Sequence, residues 1–364
     1  MCAVTHDLLT LIQTVTMKPI KFLATTILSL GIVMSSLDCF ACAACGCSLS
    51  SEAATGYSTT TGWSVSLQYD YINQNQLRTG TGSVSSPQVA AINDAGGSQE
   101  VEHGTINRYI TLGLGYTPSA DWNLKLLFPF IDRSHTTYGQ ATSDQLTPDQ
   151  ISGASVSSLG DIKFITSYQG LLSNHNLGIQ LGVKLPTGAY GGPNASGTGI
   201  AGRNPVNFTS GPNTGDLLDT SLQAGTGSTD LIAGAYYNNK VSQNFRAFVN
   251  FQFQAAVKQE LNQPGEEYRP GNQEALSFGI RYEANPRIVP QLQVNINHRS
   301  QDLGTLADTP NSAGTAAYLS PGLSISILKD VQIYGFGQLP IYSKLDGYQL
   351  FPHVTGSVGL AYAF

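Results

Sequence analysis

The sequence predicts an all-β fold, a transmembrane antiparallel up-and-down β-barrel of about twelve strands, and three observations predict it. The chain ends in a period of two: Val354, Gly356, Val358, Leu360, Tyr362 and Phe364 alternate with Thr355, Ser357, Gly359, Ala361 and Ala363. Such alternation makes a strand with one apolar and one small or polar face, where a soluble chain end is usually frayed and polar. Charged residues are 12% of the chain, against roughly 25% in soluble domains. A wall with lipid on one side and water on the other needs few charges, because its strand residues alternate apolar-out and polar-in. Finally, long and short connections alternate strictly along the chain.

The N-terminus reads as an export signal. Met17, Lys18 and Lys21 open a charged region and Phe22 to Met34 an apolar one, followed by the small residues Ala41, Ala43 and Ala44. That run is too short and one-sided to span a bilayer as a helix, and a good signal beginning at Met17 makes residues 1–16 an upstream, misassigned start. Residues 1–41 are therefore expected to be the signal, 42–61 a cysteine-containing periplasmic segment, and 62–364 the barrel. No later stretch is continuously apolar for about 20 residues, so any membrane span must be β. The net charge of -6 comes with no basic run, which argues against nucleic acid as a partner.

Twelve strands follow in order. Trp63, Val65, Leu67, Tyr69 and Tyr71 form one face of the first, Ile106 to Tyr116 the second, and Trp122, Leu124, Leu126, Phe128 and Phe130 the third. Residues 162–168 make the fourth, Leu177 to Leu185 the fifth, and a Gly-rich stretch over about 220–237 the sixth. The seventh is the cleanest: Phe245, Ala247, Val249, Phe251 and Phe253 face away from Asn244, Arg246, Asn250, Gln252 and Gln254. Residues 276–282, 292–298, 317–327 and 331–341 lead to the C-terminal strand. Each suits a tilted span of about 9 to 11 residues.

Long connections are expected at 73–104, 132–158, 188–219, 258–271, 300–316 and 343–352, and short ones at 117–121, 170–175, 238–243, 284–288 and 328–330. Short periplasmic turns, long outer loops and an even strand count are what an outer-membrane barrel requires. GGPNASGTG at 191–199 reads as a solvated outer loop, or as a loop folded inward as a constriction.

Against this frame several motifs carry a family likeness: LGDIKF at 159–164, VKLPTG at 183–188, GTGSTDL at 225–231, YRPGN at 268–272, LSPGL at 319–323 and QLPIY at 338–342. Their order and spacing resemble the bacterial outer-membrane barrels named for the meta-pathway of phenol degradation, over roughly residues 60–364. The resemblance implies a single-chain barrel for uptake of aromatic or other hydrophobic molecules. The terminal Tyr362 and Phe364 likewise resemble the signal that the barrel assembly machinery reads. In themselves the motifs look architectural, since Gly and Pro set turns and end ladders.

Inward positions in this register include Asp70, Lys125, Asp161, Lys163, Lys184, Arg246, Arg281, Glu283 and Arg299. Charges of both signs in a lumen either brace the wall or select what passes. Arg108 faces lipid in the same register, at a cost of about 2–4 kcal/mol at the midplane, so it belongs near an interface or the register is wrong. His135 and His175 are the only histidines near other polar clusters, and no nucleophile elbow or Ser-His-Asp set is visible. An enzyme and a cofactor are therefore not expected.

Cys42, Cys45 and Cys47 open the mature chain as CAACGC. A disulfide with one thiol left over, capture of a soft metal ion, and lipidation are the three readings. The functional expectation is passive uptake of small hydrophobic or aromatic molecules across the outer membrane, with membrane lipid and the assembly machinery as partners. The alternatives are a membrane-anchored interaction or metal-handling protein that works through its thiols, and a sealed structural barrel.

Overall fold

The computed structural model describes residues 60–364. Its strands are β1 (Gly62–Gly80), β2 (Gly82–Ser83), β3 (Glu102–Ser119), β4 (Trp122–Thr137), β5 (Ser152–Leu159), β6 (Lys163–Tyr168), β7 (Leu177–Lys184), β8 (Tyr190–Pro193) and β9 (Ile200–Arg203). They continue as β10 (Ser228–Lys240), β11 (Phe245–Gln259), β12 (Gln273–Tyr282), β13 (Ile288–Arg299), β14 (Gly314–Leu328) and β15 (Val331–Ala363), with a helix α1 over Ser86–Asp94. Eleven of these form a closed antiparallel ring, in which each strand pairs with its neighbours and β15 pairs with β1 to complete it. The signal segment and Cys42, Cys45 and Cys47 lie outside the described residues.

The strand count differs from expectation for a physical reason. Residues 331–345 of β15 pair with β14 and residues 345–363 pair with β1, because the chain doubles back at Gly347, where φ is +55°. The ring of eleven strands thus crosses its own wall about as often as the sequence implies, but the expected long connection at 343–352 is strand on both sides of one glycine. The fourth strand also departs from expectation. β4 runs on to Thr137, and β5 and β6 both pair with it, so much of the stretch expected as a loop at 132–158 is wall. Polar residues at Arg133, Ser134, His135 and Thr136 hid this continuation, because the inward face of a barrel is polar anyway. In addition β1 extends to Gly80, α1 occupies part of the loop expected over 73–104, and the sixth strand begins at Ser228 rather than near 220.

Period two sorts the side chains as the closed ring demands. Leu67, Ile110, Leu181, Leu231, Phe251, Phe278, Leu292 and Leu360 are exposed on the outer face. Gln68, Asn107, Gln180, Gln293, Asn295, Gln338 and Ser357 are buried inside. Where the short turns lie, aromatic rings pair around the outside: Trp63 with Tyr116 at 4.6 Å, Trp122 with Tyr168 at 4.8 Å, Phe245 with Tyr282 at 5.1 Å, and Tyr362 with Phe364 at 5.4 Å. Arg108 does face outward, beside Asp132 at 3.7 Å and near the long-loop ends of β3 and β4. The ion pair and the interfacial level together remove the conflict that its register raised.

Inside, three rings lie flat over glycines of neighbouring strands: Tyr236 over Gly178, Phe336 over Gly322 and Tyr334 over Gly359. A Cβ on any of these glycines would run into the ring, so the missing side chain leaves the space that the aromatic fills. The Tyr334 hydroxyl in turn donates to Gln68 Oε1 at 2.8 Å, tying the two legs of the closing seam to β1. Gly359→Val should therefore destabilise the barrel by about 1–3 kcal/mol through overpacking. The check is the fraction of heat-modifiable, folded protein through a urea series, and a midpoint equal to wild type would remove the packing argument.

Candidate functional site

The inward charges fall into separate clusters along the interior. In the largest, Lys184 Nζ lies 3.2 Å from Asp161 Oδ2 and 3.1 Å from Asp230 Oδ2, and it also donates to Ser228 Oγ at 3.1 Å and to Thr226 Oγ1. Asp230 Oδ2 accepts from Gln254 Nε2 at 2.6 Å, and Lys163 Nζ donates to Gln254 Oε1 at 3.1 Å. Three of the sequence motifs meet here: LGDIKF supplies Asp161 and Lys163, VKLPTG supplies Lys184, and GTGSTDL supplies Thr226, Ser228 and Asp230.

The cluster sits where the ladder is interrupted between β5 and β6. At that break Gly160 N–H donates to Pro129 O, Ile162 N–H donates to Thr187 Oγ1, and the Thr187 hydroxyl donates to Gly160 O. Asp161 Oδ1 accepts the Gly188 N–H at 3.0 Å. Side chains of the motifs thus give the backbone the partners that a continuous strand would have supplied, which a barrel wall requires.

Arg246 and Arg281 converge on Glu283 near the short-turn end, at 3.1 and 3.5 Å, and Arg246 also donates to Asn238. Asp70 accepts from Gln68 and from Ser357 across the closing seam. Lys125 lines a cavity of about 270 Å³ at the short-turn end with Asn123, Trp63 and Phe364. Arg299 forms two bonds of 2.6 and 2.7 Å to Asp302, whose oxygens also accept from the Tyr268 hydroxyl and the Gly271 N–H of the YRPGN motif. All nine inward candidates therefore sit inside the wall or at its rims, in dispersed groups rather than one ring.

Sequence reasoning noted His135 without giving it a role, and missed Arg133, Asp302 and the acidic residues at the long-loop end. Arg133 donates to Asn107 Oδ1 at 2.5 Å and Tyr109 Oη at 2.9 Å, and it reaches the carbonyls of Leu222 and Gln223. It thereby pins a loop within the barrel. Phe208, Leu218 and Leu222 of that loop pack against Ala154 and Val156 on the inner face of β5, and Ser210 O accepts the Gly153 N–H. Both loop readings hold, on different residues. The tip at 195–198 is exposed, and of 205–223 the ends turn inward at Phe208, Leu218, Leu222 and Gln223 while 209–212 and 214–216 stay exposed. The alternation Arg133, His135, Thr137 was the available signal.

Beside this loop, Glu100, Glu102, Asp219 and Asp308 line one small cavity with Gln349. Burial pushes the Glu100 carboxyl up to about 7 and the Asp219 carboxyl up to about 6, and the field of Asp308 adds to both. His135 bonds Thr105 Oγ1 through Nδ1 at 2.8 Å, with its Nε2 4.0 Å from Glu100. His175, at the opposite end, pairs with Asp121 at 2.9 Å.

Comparison with known proteins follows the fold. No protein-family model and no curated protein matches the chain. Among solved structures, an outer-membrane channel from Pseudomonas putida F1 shares the fold at a TM-score of 0.58 and 11% identity, over 84% of this chain and 97% of that one. The CymD monoaromatic hydrocarbon channel (0.40, 11% identity, 84% and 89% covered) and the β domain of the Bordetella autotransporter BrkA (0.43, 10%, 84% and 100%) are more distant. Of these three, the first bears on the fold.

Removing the lysine that two buried carboxylates share should be far worse than removing a surface charge. Lys184→Met is expected to lower barrel stability by about 3–5 kcal/mol, since it strands Asp161 and Asp230 without their cation. Urea unfolding in detergent reads this directly, and a loss below that of Lys258→Met on the exposed strand end would assign the cluster no bracing role. The chain shares the closed β-barrel fold of that outer-membrane channel.

Proposed function

We propose that this protein is a channel of the bacterial outer membrane for passive uptake of small molecules with aromatic or other apolar bodies. The observation that carries the reading is the loop 205–223 at the mouth of a closed barrel, whose Phe208, Leu218 and Leu222 pack on β5 and whose end Arg133 holds through the carbonyls of Leu222 and Gln223. A sealed scaffold gains nothing from a loop stationed in its mouth, whereas a channel needs a constriction that selects. The exposed apolar outer face and the aromatic belt at the short-turn end support a lipid environment, with the long loops outward and the turns in the periplasm. Membrane lipid and the assembly machinery, which would read Tyr362 and Phe364, are the partners this implies.

Two further features bear on the solute. The motif resemblance to the phenol meta-pathway barrels supports aromatic molecules, and so do the apolar groups Phe208, Leu217 and Leu218 at the mouth. Deeper in, amides and hydroxyls dominate: Gln291 donates to Gln293, Gln293 to Asn295 at 2.8 Å, and Asn295 to Ser320 at 2.8 Å. A solute with an apolar body and one polar handle suits both zones better than a pure hydrocarbon does. The inward charges Arg246, Arg281, Glu283 and Arg299 would then tune passage rather than react.

Replacing residues 205–222 by a short Gly-Ser linker should raise single-channel conductance in planar bilayers severalfold, and speed liposome swelling with small aromatic solutes. Equal conductance in the two proteins would remove the loop as the constriction. Silence in both would leave a sealed barrel as the better account.

A further inference from the structure

Two cavities adjoin at the outer mouth and share Glu100 and Asp219. The smaller, about 30 Å³, is bordered by Glu100, Glu102, Asp219 and Asp308 from three different connections. Gln349 also lines it. This side chain is 2% exposed, and its Nε2 donates to Ala313 O at 2.8 Å and Asp346 O at 2.7 Å, which fixes the amide orientation. Its Oε1 is left buried with no hydrogen-bond partner. A buried acceptor without a donor is unfavourable by about 1–3 kcal/mol, and here it stands among four carboxylates. The cavity is thus rich in acceptors and lacks a cation of its own: Arg299 is committed to Asp302, and Arg133 to Asn107, Tyr109 and the loop carbonyls.

The larger cavity, about 460 Å³, is lined by Phe208, Leu217 and Leu218 together with Glu100, His135, Gln140, Asn213, Asp216 and Asp219. That volume falls in the range of about 300–1,000 Å³ typical of small-molecule sites. Among the described residues no three His, Cys, Asp or Glu side chains are gathered closely enough for one metal ion. A larger cation, with donors spread over several directions, fits the separation of these acceptors better.

We propose that the two cavities form one binding site for a small primary amine with an aromatic or apolar body. The ammonium group would take the smaller cavity, donating to the carboxylates and to Gln349 Oε1, and the body would rest against Phe208, Leu217 and Leu218. An ammonium offers three donors and no acceptor, which matches the four carboxylates and the unpartnered Gln349 Oε1 that line the pocket beside the hydroxyls of Ser221, Ser312 and Tyr348 and the amides of Gln99 and Asn311. The net charge of -6 also draws cations to the protein. This deepens the channel reading, on which it rests, by naming the solute captured ahead of passage.

The test is calorimetric binding to the full chain folded in detergent, with benzylamine, benzyl alcohol and phenylacetate as probes. Benzylamine should bind saturably and at least tenfold more tightly than benzyl alcohol, with phenylacetate weaker still. Asp219→Asn and Glu102→Gln should each weaken benzylamine about tenfold, while Asp149→Asn, on an exposed loop, should not. Heat-modifiable migration of each variant shows that the barrel has formed, and Gln349→Met offers a second route to the same loss. Equal affinity for benzylamine and benzyl alcohol, or an unchanged affinity in folded Asp219→Asn and Gln349→Met, would overturn the assignment. Solute flux into liposomes is measured in parallel: flux without amine selectivity sinks this inference and leaves the channel, whereas selective binding without flux sinks the channel and leaves the site.

Discussion

Everything in this molecule depends on closing a ring of backbone hydrogen bonds. A strand with a bare edge leaves a row of unpaired N–H and C=O groups open to pairing with another chain, and closing the wall on its own beginning removes that edge. Here the return is made by the last residues of the chain. Trp63 and Phe364 exchange both backbone bonds at 2.8 Å, and the register runs without interruption from Ser64 against Ala363 to Ile72 against Thr355. Tyr334, buried over Gly359 and bonded to Gln68, locks the same seam from inside.

The constraint reappears wherever the wall is imperfect. Between β5 and β6 the ladder stops for three residues, and the hydroxyl of Thr187 and the carboxylate of Asp161 take over as partners. That substitution buries a carboxylate, which then needs Lys184, which brings in Asp230. An interrupted strand has thereby generated an ion-pair cluster, and the motifs that stand out in the sequence are its components. Their distinctiveness reflects the demands of the wall more than the identity of any solute.

A different logic governs the mouth. The connections at 138–151, 185–227 and 300–313 lie beyond the apolar band and meet water, so their backbone is free of the ring's demand. They pack on neighbouring segments through small apolar groups, Tyr138 and Leu146 against Val89, Val101 and Leu350 in one, and Ala201 and Leu306 with Leu261 and Tyr268 in another. Glu100, Asp219 and Asp308 collect between these groups.

How much of this was legible in the sequence follows from the range of the forces involved. Alternation with period two is local, so the strands, their outward faces and the inward side of Asp70, Lys184, Arg246 and Arg299 are written in neighbouring residues. The closing of the chain on Phe364 and the contrast of long and short connections were readable for the same reason. What the sequence left open is what depends on contacts between distant segments. Asp302 serves Arg299, Tyr268 and Gly271 at once, Arg133 holds carbonyls some 90 positions away, and four carboxylates from three distant stretches of the chain share one cavity. No local pattern marks such meetings, because loop residues carry no periodicity and their partners are chosen by the shape of the closed wall beneath them. The sequence by itself determined the barrel and the outward and inward faces of the strands it marked; only the tertiary structure decided that β4 and β5 extend the wall into 132–158, where the charges meet and which loop residues turn inward, since those are set by through-space proximity and not by spacing along the chain.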